Sequence, residues 1–154
     1  MYKRQGLLES GDDPLRLVNG TVTNSGTIRS TGEFGFSEFS TPGLASDGIV
    51  FLGPDIDGIS EANVTNTASG LIEGFRSGIS QVTTLDNAGT ITGQVTGVWT
   101  QRDSDFIIDN SGSIIRQGEN FGFGNDGEIT SSAILVGVNV DNSCLLYTSP
   151  SPRD

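Results

Sequence analysis

Apolar residues in this chain come in short runs, and one pattern recurs: apolar, any, Asn, any, Gly, Thr or Ser, Ile. It runs from Val22 through Asn24 and Gly26 to Ile28, from Leu85 through Asn87 and Gly89 to Ile91, and from Ile108 through Asn110 and Gly112 to Ile114. A looser copy with two extra residues runs from Val64 through Asn66 and Gly70 to Ile72, a partial one is Asn125-Asp126-Gly127-Glu128-Ile129, and another opens at Val140-Asp141-Asn142-Ser143. Between the copies falls a second, shorter run: Asp47-Gly48-Ile49-Val50, Ser77-Gly78-Ile79-Ser80, Thr96-Gly97-Val98-Trp99 and Ser132-Ala133-Ile134-Leu135. Short apolar runs bounded by Gly, Asn and Ser mark strands and turns. No stretch of helical length keeps an apolar helical period without a Gly interruption, so the pattern predicts no helix.

The asparagines are spaced by 42, 21, 23 and 32 residues. A period of twenty-odd residues is that of a solenoid, in which strands too short to form stable hairpins stack one coil on the next. At a strand spacing of about 4.8 Å, equivalent residues of successive coils lie directly over one another. Ile28, Ile72, Ile91 and Ile114 are then expected in one interior column, and Val22, Val64, Leu85 and Ile108 in another. Ile79, Val98 and Ile134 supply a third face. β-Branched side chains suit such walls because they are stiff and pack well on a pleated surface. Asn24, Asn66, Asn87, Asn110 and Asn142 are expected to share a corner, their amides bonding coil to coil as a ladder. The Gly after each Asn is expected to supply a turn conformation open to positive φ. The first interval is twice 21, which predicts a degenerate copy between Thr31 and Ala62. The fourth reads as one coil with an inserted loop. The alternative is a β-sandwich with independent Asn-x-Gly turns, but regular Ile placement after every turn favours the solenoid. The expected fold is all-β, a parallel β-helix of about five to six coils, about 25 Å long.

Composition changes this picture chiefly at the two ends. The only Met, the only Cys, the only Lys and both Tyr lie within residues 1–5 and 144–154. Written as TAT AAG AGA CAG, Tyr2-Lys3-Arg4-Gln5 has a reverse complement that encodes Cys144-Leu145-Leu146-Tyr147 one base out of frame. Both segments resemble translated transposon-end adapters of sequencing libraries, and such scars are set aside before fold reasoning. The expected division is an adapter-derived segment 1–5, a β-helix repeat fragment 6–143 and an adapter-derived segment 144–154. On that reading the repeat is a window truncated at both ends.

Residues 6–143 hold five Arg (Arg16, Arg29, Arg76, Arg102, Arg116) against eighteen carboxylates, a formal charge of −13, and no His. Binding nucleic acid or an anionic membrane needs clustered cations, so neither is an expected partner. Without His or a Cys in 6–143, no Ser-His-Asp or Cys-His arrangement and no zinc spacing is possible there. Two carboxylate groups stand out, Asp55/Asp57 with Glu61 and Asp103/Asp105 with Asp109. The first lacks the remaining ligands of a calcium loop, and solvated turn acids account for both, so no metal, cofactor or catalytic residue is expected. Phe34-Gly35-Phe36-Ser37-Glu38-Phe39 and Asn120-Phe121-Gly122-Phe123 break the period. Insertions on solenoids often line a binding face, although these rings are expected to fold back on local apolar surface. Trp99, the only Trp, either faces out as a platform for sugar rings or caps the core beside Arg102.

The phrases Asn24-Ser25-Gly26-Thr27-Ile28, Asp86-Asn87-Ala88-Gly89-Thr90-Ile91-Thr92-Gly93 and Asp109-Asn110-Ser111-Gly112-Ser113-Ile114 resemble the passenger repeats of Gram-negative autotransporters and of filamentous-haemagglutinin-like adhesins. That resemblance covers most of 18–143. It implies a right-handed parallel β-helix, exported and threaded through a C-terminal outer-membrane β-barrel of the same polypeptide that lies outside these residues. It further implies an extracellular, cell-surface location and a host or environmental ligand, protein or glycan. The expected function is a non-catalytic stalk. The alternative is part of a β-helical polysaccharide lyase or hydrolase, which acids and an Arg converging on one sheet face would favour.

Overall fold

The computed structural model describes residues 1–32, 47–52, 61–100, 106–118, 133–136 and 146–148. Strands β1 (Tyr2–Arg4), β2 (Leu7–Ser10) and β3 (Leu15–Leu17) make a first coil, and β4 (Gly20–Asn24), β5 (Thr27–Ser30) and β6 (Ile49–Phe51) a second. The third holds β7 (Ala62–Asn66), β8 (Leu71–Gly74) and β9 (Ser77–Ser80). The fourth holds β10 (Thr84–Asn87), β11 (Thr90–Gly93) and β12 (Thr96–Thr100), the fifth β13 (Ile107–Asn110), β14 (Ser113–Arg116) and β15 (Ile134–Val136). Strand β16 (Leu146–Thr148) follows. The strands stack into three sheets, ordered β1-β4-β7-β10-β13-β16, β14-β11-β8-β5-β2 and β15-β12-β9-β6-β3. Every pairing is parallel and joins a strand to its equivalent one coil away. This is a parallel β-helix with three faces, and no helix occurs among the described residues.

Register lines the interior. In the first sheet Val22, Val64, Leu85 and Ile108 stand over one another. In the second, Leu8, Ile28, Ile72, Ile91 and Ile114 do so. In the third the file is Leu15, Ile49, Ile79, Val98 and Ile134. The middle members are closed to solvent, whereas Leu8, Leu15, Ile114 and Ile134 at the ends are half-buried. Polar partners alternate outward, as Thr23, Thr65, Asp86 and Asp109 do in one file on the first sheet. Outside the second sheet Arg29 reaches Glu9 and Glu73 on the coils either side.

The structure corrects three expectations. No degenerate copy lies between Thr31 and Ala62: Asn24 pairs directly with Asn66, so the 42 residues form one coil. Its extra length falls in 33–46 and 53–60, on either side of β6. Next, the strand paired with β13 is Leu146–Thr148, which sets Thr148 opposite Asn110. Asn142 lies outside the described residues. Finally, the turn glycines do not adopt positive φ; among the described glycines only Gly6 and Gly20 do so. Space explains them instead. A Cβ on Gly89 would stand 2.3 Å from the Gly70 carbonyl oxygen and 2.7 Å from Asn66 Nδ2, and one on Gly70 would stand 2.1 Å from Asn66 Oδ1. Larger residues would push the coils apart at the corner where they must touch.

The two end segments each contribute a strand, β1 against β4 and β16 against β13. By register Tyr2 falls opposite Val22 and Leu146 opposite Ile108.

Candidate functional site

Among the described residues, two corners of the helix bury amide or charged side chains. At the corner after the first sheet, Asn24, Asn66 and Asn87 are fully buried. Asn24 Nδ2 donates to Asn66 Oδ1 at 2.9 Å, Asn66 Nδ2 to Asn87 Oδ1 at 2.8 Å, and Asn87 Nδ2 to Asn110 Oδ1 at 2.6 Å. The same amides donate to the turn carbonyls of Gly26 (3.0 Å), Gly70 (3.2 Å), Gly89 (3.3 Å) and Gly112 (3.3 Å). A carboxamide carries an acceptor and two donors, so each inner rung, Asn66 and Asn87, accepts from one neighbour, donates to the next and closes its own turn.

The other corner lies between the second and third sheets, and its charged cluster occurs once among the described residues. The Asp47 side chain is closed to solvent and that of Arg76 nearly so. Asp47 Oδ1 accepts from Arg76 Nε at 3.0 Å and from the Ser77 backbone N–H at 3.1 Å. Oδ2 accepts from Arg76 Nη2 and the Ser80 hydroxyl. The Asp47 N–H donates to Asp13 Oδ1 at 2.7 Å, and Asp13 Oδ2 accepts from Arg16 Nε at 2.7 Å. On the far side the Arg76 guanidinium lies 5.3 Å from the centre of the Trp99 ring, within reach of a cation–π interaction. Four successive coils are thereby joined, through Asp13, Asp47, Arg76 and Trp99. Burial pushes the Asp47 carboxyl above its ordinary range; Arg76 and Ser80 pull it back, and Asp13 adds to the rise. Gln81, next to Ser80, is the one described non-glycine residue with positive φ, at 63°. Its N–H donates to the Trp99 carbonyl at 2.7 Å.

Around this corner the third sheet differs from the others. Val50 and Ser80 alternate with the inward Ile49 and Ile79, yet they are 2 % and 0 % exposed. Segments 33–46, 53–60, 101–105 and 119–132 all join the chain at one end or the other of its strands β6, β12 and β15.

The structure gathers Asn24, Asn66, Asn87 and Asn110 into one file, and Ile28, Ile72, Ile91 and Ile114 into another. Asp55, Asp57, Asp103, Asp105 and Arg102 lie outside the described residues, while Glu61 and Asp109 are exposed. Trp99 is half-buried, and its cationic neighbour among the described residues is Arg76. Among the described residues no group of three His, Cys, Asp or Glu side chains could hold a metal ion. Sequence reasoning missed the Asp47–Arg76 pair, whose members are 29 residues apart and occupy non-equivalent places. Asp47 aligns with Ser77 by register, and Arg76 with Val95, whose N–H donates to the Arg76 carbonyl. The available signal was an Arg standing where the next coil has Val.

Acids and an Arg thus converge on one face, the arrangement that an enzyme would display. Their chemistry is closed, however. Each Asp47 oxygen already accepts two hydrogen bonds, which fills the acceptor capacity of a carboxylate, and the Asp13 side chain beside it is also sealed from solvent. A general acid or base must reach a reacting group, and this pair reaches only the protein. No protein-family model, curated protein or solved structure matches the chain.

Proposed function

We propose that this chain is a non-catalytic stalk, part of the passenger of a secreted autotransporter-type adhesin displayed on the outer membrane of a Gram-negative cell. The observation that carries the reading is the closure of the Asp47–Arg76 cluster, which spends its charge on joining coils. Parallel coils with a continuous core and a buried amide ladder make a rod whose length grows with coil number. A host or environmental protein or glycan is the ligand class that the display of such a rod serves. Anchorage falls to a β-barrel elsewhere in the same polypeptide; neither nucleic acid nor lipid is a partner of these residues. The competing reading is a fragment of a β-helical carbohydrate-active enzyme.

The test is recovery of the coding sequence on both sides of residues 6–143 from the source sample. A downstream segment of alternating apolar strands sized for an outer-membrane barrel is the expected result. Continuation into coils that bring solvent-open carboxylates and a Lys or Arg to one face, ending without a barrel, overturns it in favour of the enzyme.

A further inference from the structure

Asn19-Gly20 is the one Asn-Gly step in the chain, and it stands at a corner unlike that of the asparagine ladder. Asn19 is exposed in a bend, and Gly20 opens β4 with φ at 123°, a setting that favours glycine. Val18 and Asn19 alone connect β3 to β4, whereas 81–83 connect β9 to β10 and 52–61 connect β6 to β7. The ladder asparagines precede Ser25, Thr67, Ala88 and Ser111, and their amides are committed to neighbouring rungs and turns. A glycine after an asparagine leaves its backbone nitrogen open to the Asn side chain, since no Cβ stands in the way. Here that nitrogen donates to the Glu61 carbonyl, one residue before β7. A single backbone hydrogen bond at a solvent-facing corner opens locally, without unfolding of the chain.

We propose that Asn19-Gly20 is a self-modification site, where the exposed amide becomes aspartate and isoaspartate at a rate set by opening of the Gly20–Glu61 hydrogen bond. The Gly20 nitrogen loses its proton to hydroxide and attacks Asn19 Cγ. A C–N bond forms, and Nδ2 leaves as ammonia with a proton from water. Water then opens the resulting succinimide. Addition at Cγ gives aspartate. Addition at the main-chain carbonyl gives isoaspartate, whose backbone runs through Cβ and Cγ and is one carbon longer. A connection as short as Val18-Asn19 absorbs that carbon poorly, because β4 behind it is held in register from Gly20 against Ala62 to Asn24 against Asn66. Isoaspartate therefore strains the junction of the first two coils, while aspartate adds only a charge.

Peptide mapping by mass spectrometry on the full chain, aged at neutral and at mildly alkaline pH, tests this. Conversion at Asn19 should run roughly tenfold or more faster than at Asn24, Asn66 or Asn87, and roughly tenfold faster again in the urea-unfolded chain, where Glu61 no longer holds the nitrogen. The rate should rise with hydroxide concentration, and isoaspartate should be the major product. The fraction carrying isoaspartate should melt below the fresh chain, while Asn19→Asp should melt with it. An Asn19→Gln chain, whose longer side chain closes the ring slowly, should stay unmodified over the same period. Conversion at Asn19 no faster than at the ladder asparagines would overturn the proposal. So would equal rates in the folded and unfolded chain, since the hydrogen bond would then gate nothing.

Discussion

The asparagine corner and the Asp47 corner solve one problem in two ways. Both bury polar groups where the chain turns, and both tie coils together. The first does it with a neutral group that donates and accepts, so it tiles without limit: Asn24, Asn66, Asn87 and Asn110 repeat one hydrogen-bond pattern. A carboxylate only accepts, so a second carboxylate cannot continue the pattern and a cation must complete it. Among the described residues the Asp47–Arg76 pair therefore occurs once, with Ser77 and Ser80 closing the shell. Their place follows from the chain's path. Strand β6 is three residues long, between segments 33–46 and 53–60. Asp47 stands at the entry to that strand and fastens it to the coils on both sides.

This contrast is sharpest under substitution. Arg76→Met leaves the Asp47 carboxylate buried without its cation, and should destabilise the chain by about 3–5 kcal/mol. Asp47→Leu/Arg76→Met should recover wild-type stability or exceed it, because apolar side chains of similar size need no desolvated charge. Urea unfolding of the two single variants and the double gives the coupling. A double variant as weak as Arg76→Met would show that the cluster contributes more than it costs. The pair also carries a pH signature. The folded chain holds the Asp47 proton more tightly than the unfolded chain, whose carboxyl titrates near 3.8. The wild type should therefore lose stability relative to the double variant as pH rises from there through the folded-state pKa. Loss on acidification instead would mean that Arg76, Ser77 and Ser80 outweigh burial.

The ordinary wall of the helix comes next in size. Ile91→Ala removes a fully buried side chain and should cost about 2–5 kcal/mol, while Thr90→Ala on the outer side should stay within about 0.5 kcal/mol. Equal shifts in urea midpoint would undo the inward–outward assignment. At the ladder, Asn66→Ala strips one partner from Asn24 and one from Asn87, a loss of about 1–3 kcal/mol. Asn110→Ala, on a half-buried rung, should lose less. If the two match, the ladder's interior rungs gain nothing from being closed to water. Smallest of all, Gln81→Gly should gain up to about 1 kcal/mol by relieving the positive φ. A thermal midpoint that falls would mean that the Gln81 side chain does more than tolerate its backbone.

Most of the fold was legible in the sequence. Each repeat carries its own apolar residue, amide and turn, so Ile72 and Ile91 could be set over each other without knowing how coils pack. Spacing alone misleads in one place. Two periods of 21 suggested a hidden copy between Thr31 and Ala62, yet β6 shows a single coil spanning them. Periodicity counts residues, while a coil is defined by which strands pair, and residues inserted between strands change the first without changing the second. At the glycines, local turn chemistry points to φ, whereas contact between neighbouring coils demands the absence of a Cβ.

The sequence by itself determined the all-β character, the inward columns of Val, Leu and Ile, and the asparagines that form the ladder, because these are properties that every repeat restates. Only the tertiary structure decided the Asp47–Arg76 pair, the buried outer side of the third sheet and the closure of its chemistry. Those depend on residues at unequal positions in different coils. No period relates such residues; stacking alone brings them together, and the low-dielectric corner it creates makes the aspartate need its arginine.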